Sequence, residues 1–531
     1  MSENYLISIN PATEKELGRI IAGDRRTIDE TVERARHAQK MWASLTIRER
    51  QAQFIKLMDL ILEEQQEIAE LIAGEQGKPV TEAMASEVIA VLGILKDISR
   101  HAHRVLRPHK MVHEQILFAH KKSDYRLEPY GIIAVISPWN YPFSVPVPEI
   151  AAALVAGNSV VFKPAPDAVL IGRKTQELFD RAGFPENVVQ TLFIYDADAP
   201  HLTHHPGIDK IIFTGSTPVG RDVMCEASHQ MTSVVLELGG KDPAIVAADA
   251  DVSRAARGIV WGALFNAGQV CASVERVYVE KTIAEKFIDL CLQHIKKVVP
   301  GDPLDPATQI GPLSTLDQLI KVQDQIKDAI RRGATLLYGG NRLDRSGYFM
   351  EPTLLANVDH SMPIMTEETF GPVLPIMVAD SLDQAIELAN DSIYGLSAYG
   401  WTRSRKTAQR LVRELQAGTV MINDSTSSWG EPNAPWGGYK MSGIGRTRAR
   451  FGLEEMVQVK YASFDSGKTT GNLWWYPYNQ QSSKFMYNAA KLLYSRNLFT
   501  KLGSCVRILG TQSLLSRIPL FSFIRNLHKL F

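Results

Sequence analysis

A chain of 531 residues, 45% hydrophobic and 22% charged, with 37 Gly and 27 Pro spread along it, can bury a large core in two or three compact units, which excludes disordered, collagen-like and coiled-coil classes. Lys+Arg and Asp+Glu number 58 each, so no net basic field draws the molecule to nucleic acid. Residues 461–531 nevertheless hold nine cations against the single acid Asp465, a local +8 offset by −8 over the residues before them.

The first residues show no cationic segment leading into an apolar one, so no signal peptide is expected. Amphipathic periodicity predicts helices over 27–42 and 47–73. The charge-free run 129–148 is long enough to span a bilayer, but five prolines exclude a membrane helix there. Apolar runs then alternate with helical patterns: strand 132–136, helix 148–156 stopped by Gly157, strand 159–162, helix 168–182, strands 188–193 and 208–213, a helix from Pro218, and strand 234–238. That rhythm means parallel strands joined by crossover helices, a doubly wound α/β sheet. A second alternating region, about 239–430, predicts a second α/β domain, and the basic, apolar tail after Tyr461 is compositionally separate.

Four segments carry chemistry. Gly215-Ser216-Thr217-Pro218-Val219-Gly220 follows a predicted strand and opens a helix, which suits a phosphate-binding turn or an ordinary strand-to-helix connection. Cys271, among small and polar residues, reads as a nucleophile or a buried inert thiol. Cys225, Cys291 and Cys505 show no paired or C-x-x-C spacing with it, so neither a disulfide framework nor a metal site is suggested, and a reducing compartment fits. Glu237, ending an apolar run, is a desolvated base or a structural carboxylate. Asn140, in the Pro-rich loop leaving the first strand, is an oxyanion donor or a turn residue.

Together with Val161-Phe162-Lys163-Pro164, Glu367-Glu368-Thr369-Phe370-Gly371-Pro372, Tyr394-Gly395-Leu396-Ser397 and Pro435-Trp436-Gly437-Gly438-Tyr439-Lys440-Met441-Ser442-Gly443, these segments give a sequence that resembles the aldehyde dehydrogenase superfamily from about Asn10 to Tyr461. The resemblance implies a Rossmann-like cofactor domain over 1–120 and 136–237 and an α/β catalytic domain over 238–430. It also implies a small β oligomerisation arm over 121–135 and 431–465, building homodimers or homotetramers. Cys271 then stands where the family's nucleophile stands, Glu237 where its general base stands and Asn140 where its oxyanion donor stands. Lys163 matches the adenine-ribose contact, Gly215, Ser216 and Gly220 the pyrophosphate turn, Glu368 the nicotinamide-ribose acid, Phe370 the neighbour of the nicotinamide, and Trp139 part of the cofactor cleft. The implied reaction is NAD- or NADP-dependent oxidation of a small-molecule aldehyde to the acid through a cysteine thiohemiacetal and thioester. Glu237 favours hydrolysis over transfer to coenzyme A.

Two departures matter. Pro166 occupies a position where NAD-preferring members often carry Glu, with Asp167 beside it, leaving the choice between NAD and NADP open. Thr447 stands where many members carry Glu, removing any proton relay through that acid. Tyr141, Ser144 and Pro148 are expected to line the substrate tunnel without a cation, which favours an apolar medium- or long-chain, or aromatic, aldehyde. A semialdehyde dehydrogenase whose tail binds a protein partner, and a silent membrane scaffold, are the alternatives. The protein is expected in the cytoplasm, with the extension 466–531 as a peripheral membrane anchor built from two interfacial segments led in by Trp474, Trp475, Tyr476 and Tyr478.

Overall fold

The amphipathic stretches near the N-terminus form helices Arg25–Ser44 and Ile47–Glu63, started by reciprocal side-chain caps, Asp24 with Thr27 and Thr46 with Glu49. They are seen in a computed structural model that describes residues 4–113, 118, 120–465, 467, 471–472 and 474–510. The expected helix 47–73 is two helices, because Glu64 leaves the helical region at φ −102° and ψ 14° while its carboxylate pairs with Lys174 at 2.7 Å. The second, Gln65–Gln76, ends at Gly77, whose φ of +78° suits glycine.

A six-stranded sheet follows, in the order Gly443–Ile444, Ser233–Glu237, Lys210–Thr214, Ile132–Ile136, Ser159–Lys163, Val189–Thr191. All pairs are parallel except the short Gly443–Ile444 edge. Ile132–Ile136 and Ser159–Lys163 are buried at every position, as central strands covered on both faces must be. A seven-stranded sheet runs Thr335–Tyr338, Thr353–Ala356, Val373–Ala379, Arg276–Glu280, Pro243–Val246, Ser397–Trp401, Thr419–Ile422, antiparallel only at its first pair. Its apolar core gathers Ile259, Val277, Phe287, Leu354, Leu374 and Tyr399.

Both sheets lie in one compact unit, residues 1–106 and 129–458, and the second unit comprises 107–128 and 459–531. The arm expected over 121–135 and 431–465 therefore has different bounds. Residues 132–136 pair on both sides within the six-stranded sheet, and Gly443–Ile444 forms that sheet's edge. The physical reason is visible in the strands: Ile132–Ile136 is wholly apolar and buried, whereas Lys122–Pro129 is mostly half-buried and joins His109–Lys110 and Val457–Phe464 in a three-stranded sheet.

In the second unit, helices Gln480–Tyr494 and Leu498–Leu509 pack on each other, the first capped reciprocally by Asn479 and Ser482. Tyr476, Tyr487, Phe499 and Val506 are exposed. The remainder of the expected anchor, from Leu514 and Leu515 through Pro519 to Phe531, lies outside the described residues. Among the described residues no helix is long and apolar enough to cross a membrane.

Candidate active site

Asn140 sits in the loop between strand Ile132–Ile136 and helix Pro146–Ala156, and a buried ion pair shapes that loop. A π-helical turn, Met84–Ile89, delivers Glu87, whose carboxylate accepts the Phe143 and Ser144 amides at 3.2 and 2.7 Å. Lys78 pairs with Glu87 at 2.6 Å, both side chains fully buried, donates to the Asn140 carbonyl at 3.0 Å and lies 3.6 Å from the Tyr141 ring centroid. The Asn140 side-chain Nδ2 donates to the Gln269 carbonyl at 3.0 Å, tying this loop to the one bearing Cys271.

That second loop follows helix Val252–Leu264 through three successive left-handed residues, Asn266, Ala267 and Gly268, at φ +52°, +53° and +72°. Neighbours over-determine it: Glu82 accepts the Asn266 amide at 2.9 Å, and the Ser314 amide donates to Gln269 Oε1 at 2.9 Å. A side chain at Gly268 would meet the Gly371 carbonyl oxygen at 2.0 Å. Cys271 is half-exposed as a residue. Burial of its sulfur, reinforced by the negative charges of Asp242, Glu237 and Glu368, pushes the thiol's pKa well up, so the resting group is the thiol and needs a base.

Glu237 ends strand Ser233–Glu237 and is 4% exposed. Neither carboxylate oxygen has a hydrogen-bond partner among the described residues. Burial raises its pKa well above the usual carboxylate range and Glu149 adds to this, while Arg446 and Arg448 oppose it.

On the neighbouring wall, Thr214, Gly215 and Ser216 lead into helix Thr217–Ser228, whose N-cap Ser216 makes no side-chain cap, so the first-turn amides have no side-chain acceptor. A side chain at Gly220 would meet Leu238 at 2.3 Å, so this glycine seats the helix against the sheet. Glu368 accepts the Gly240 amide at 3.1 Å, and burial raises its pKa to about 7. Phe370, at φ +58°, is held by Glu275, which accepts the Thr369 and Phe370 amides at 2.8 Å. Its ring stands edge-on to Trp139 with centroids 5.5 Å apart. Uncapped amides, a glycine approach and an adjoining aromatic cleft fit a dinucleotide at the helix start.

One cavity of about 410 Å³ brings together Trp139, Asn140, Gly215, Ser216, Glu237, Cys271, Glu368 and Phe370. Lys163 and Gly220 are not among its lining residues; Lys163 ends its strand paired with Asp196 at 2.6 Å. Tyr141 lines the cavity, but Ser144 does not, being buried as the acceptor of the Trp429 indole at 3.2 Å, and Pro148 lines a smaller cavity instead. Sequence reasoning missed Trp261, Phe265, Trp429 and Trp436, which make the wall around the thiol aromatic, and Glu149, the single charge in helix Pro146–Ala156. That isolated charge in an apolar run was the available signal for Glu149.

Known proteins share this sequence and fold. Residues 1–462 match the aldehyde dehydrogenase family. A probable succinate-semialdehyde dehydrogenase [NADP(+)] of Sinorhizobium fredii is 36% identical over 458 residues, covering 85% of this chain and 91% of that protein. A 4,4'-diapolycopene aldehyde oxidase of a Methylomonas species is 34% identical over 474 residues, covering 89% and 88%. The NAD+ complex of an aldehyde dehydrogenase from Bacillus cereus superimposes with a TM-score of 0.84 at 34% identity, covering 87% of this chain and 94% of that one.

Proposed function

The chain belongs to the aldehyde dehydrogenase family, NAD(P)-dependent enzymes, and we propose that it oxidises an apolar medium- or long-chain, or aromatic, aldehyde to the carboxylic acid by way of Cys271. The observation that carries the substrate reading is the cavity wall: Tyr141, Trp261, Phe265, Trp429 and Trp436 surround the thiol. Lys321 is the one cation among the described lining residues, and its charge acts on Glu368. The relative named for diapolycopene aldehyde supports an apolar substrate. The relative named for succinate semialdehyde supports a carboxylated one.

In this reading Cys271 loses its proton to Glu237 and its sulfur attacks the aldehyde carbon. The oxyanion that forms meets the Asn140 amide, held in place from Gln269 and Lys78, an interaction worth roughly 3 kcal/mol in comparable sites. Trp139, Phe370, Glu368 and the Gly215–Ser216 turn would hold the nicotinamide dinucleotide, which when bound would supply the hydride acceptor. Cys271 is left as a thioester; Glu237 takes a proton from the attacking water, the C–S bond breaks and the acid departs. Lys163 is the contact to the adenine ribose, and Gly220 keeps the helix start where the pyrophosphate needs it.

The extension then serves as the attachment to an anionic surface, with Lys484, Lys491, Arg496, Lys501 and Arg507 interleaved with exposed Tyr487, Phe499 and Val506. Reduced-cofactor formation across alkanals of rising length, an aromatic aldehyde and a short semialdehyde tests the substrate. A preference for the semialdehyde refutes it. Co-sedimentation with anionic vesicles tests the extension, since equal binding by the full chain and by one ending near Ser466 removes that role.

A further inference from the structure

Under the reaction proposed above, on which this inference rests, each turnover releases two protons: RCHO + NAD(P)+ + H2O → RCOO− + NAD(P)H + 2 H+. One comes from the Cys271 thiol and one from the attacking water. Glu237 can hold only one of them, and both must leave a buried cavity.

Glu149 lies in the first turn of helix Pro146–Ala156 and is 6% exposed. It lines the catalytic cavity together with Glu237 and Cys271. It also lines a second cavity of about 30 Å³, and Val145, Trp429 and Thr447 share both walls with it. A space of that size admits a water or two. Asp97 lies on the far wall, hydrogen-bonded to His101 Nδ1 at 2.6 Å, and the His101 side chain is 47% exposed. Glu149 Oε2 has no hydrogen-bond partner among the described residues.

We propose that Glu149 receives the protons collected by Glu237 and passes them through the second cavity to Asp97, His101 and solvent. Glu237 takes the thiol proton as sulfur attacks, hands it to Glu149, and is ionised again when water attacks the thioester. One O–H bond of that water breaks as its oxygen bonds the acyl carbon, the C–S electron pair returns to sulfur, the water's other proton passes from the departing acid to that sulfur and restores the thiol, and the proton taken by Glu237 follows the first.

The charges around Glu149 suit this task. Arg448, itself buried with its guanidinium 3.3 Å from the Trp429 ring centroid, favours the ionised form of both Glu149 and Glu237. Arg446 favours the ionised form of Glu237, and the Glu149 carboxylate opposes it. Burial raises the Glu149 pKa to about 8, close enough to neutral to take up and release a proton. Glu149 touches neither substrate nor cofactor in this scheme; it acts through Glu237.

The test compares Glu149→Gln and Glu149→Asp with wild type in the full chain, using the best aldehyde of the panel. The first turnover of reduced cofactor should survive in Glu149→Gln while steady-state kcat falls by about tenfold or more. Rising imidazole buffer should restore kcat, the rise of kcat through pH about 8 should disappear, and Glu149→Asp should retain that rise. A kcat within about twofold of wild type with the same pH profile, or a loss indifferent to buffer concentration, overturns the proposal. If Glu149→Gln does not fold, Asp97→Asn carries the same readings at the other end of the path: a buffer-rescued loss of kcat supports the route and an unchanged enzyme overturns it. Absence of a first turnover in wild type would instead overturn the reaction itself, so the two failures are distinct.

Discussion

Lys78→Met tests how the oxyanion loop is held. Removing the ammonium leaves the Glu87 carboxylate fully buried, with the Phe143 and Ser144 amides but without the cation 2.6 Å away. Breaking a buried pair on one side costs about 3–5 kcal/mol, and the lost bond to the Asn140 carbonyl adds about 1 kcal/mol. At roughly 2–4 °C per kcal/mol, the melting temperature should fall by roughly 8–24 °C. The double variant Lys78→Met/Glu87→Gln should recover more than half of that loss, because the uncompensated charge is gone. Activity should recover less than stability, since the Asn140 carbonyl has lost the Lys78 ammonium and keeps only the longer bond from Asn266 Nδ2 at 3.3 Å. A displaced oxyanion donor costs about a hundredfold or more in the chemical step. Denaturant titration of the four proteins of the cycle, with first-turnover kinetics on each, measures both quantities. A single variant within about 0.5 kcal/mol of wild type, with an unchanged first turnover, would refute the argument.

Cys271→Ala should abolish turnover while cofactor binding, followed by calorimetry, persists, because only the covalent step uses sulfur. Glu237→Gln removes the base for both the thiol and the attacking water, so the first turnover and the steady state of reduced-cofactor formation should both slow, which rapid-mixing kinetics measures. In wild type the raised Glu237 pKa means that the base is protonated as pH falls, so hydrolysis should slow toward acid and speed toward alkali; a steady-state rate that rises on acidification contradicts this. Pro166→Glu should shift the ratio of kcat/KM values toward NAD+. Asp196, which neutralises Lys163 at 2.6 Å, is the residue to hold fixed in that comparison.

Parallel strands, and the residues that meet in the large cavity, were legible because each is written locally. Ile132–Ile136 and Ser159–Lys163 are continuous apolar runs, and Cys271, Glu237 and Asn140 each stand within a short distinctive segment. Features assembled across the chain were not. Trp261, Trp429 and Trp436 meet at the thiol from separate segments, and no periodicity relates them. The pair of Lys78 with Glu87 depends on a π-helical turn that carries no breaker residue to announce it. The split at Glu64 coincides with an ion pair to Lys174, far away in sequence, a tertiary contact that a locally consistent helical pattern does not announce. The arm's bounds failed for a related reason: hydrogen-bonding partners on both sides, rather than proximity to the arm's sequence, assign 132–136 to the large sheet.

Gly268 abuts the carbonyl of Gly371 with no room for a side chain between them, and Gln318 donates to the Thr369 and Phe370 carbonyls at 2.9 Å from the other side. The Cys271 loop and the loop bearing Glu368 and Phe370 are thereby geared, so that a shift of one is transmitted to the other through the Gly268–Gly371 contact. Attempts to enlarge or reshape the aromatic pocket should leave this gear intact, spare Trp429, whose indole holds Ser144 and whose ring carries Arg448, and vary Trp261 or Phe265 instead.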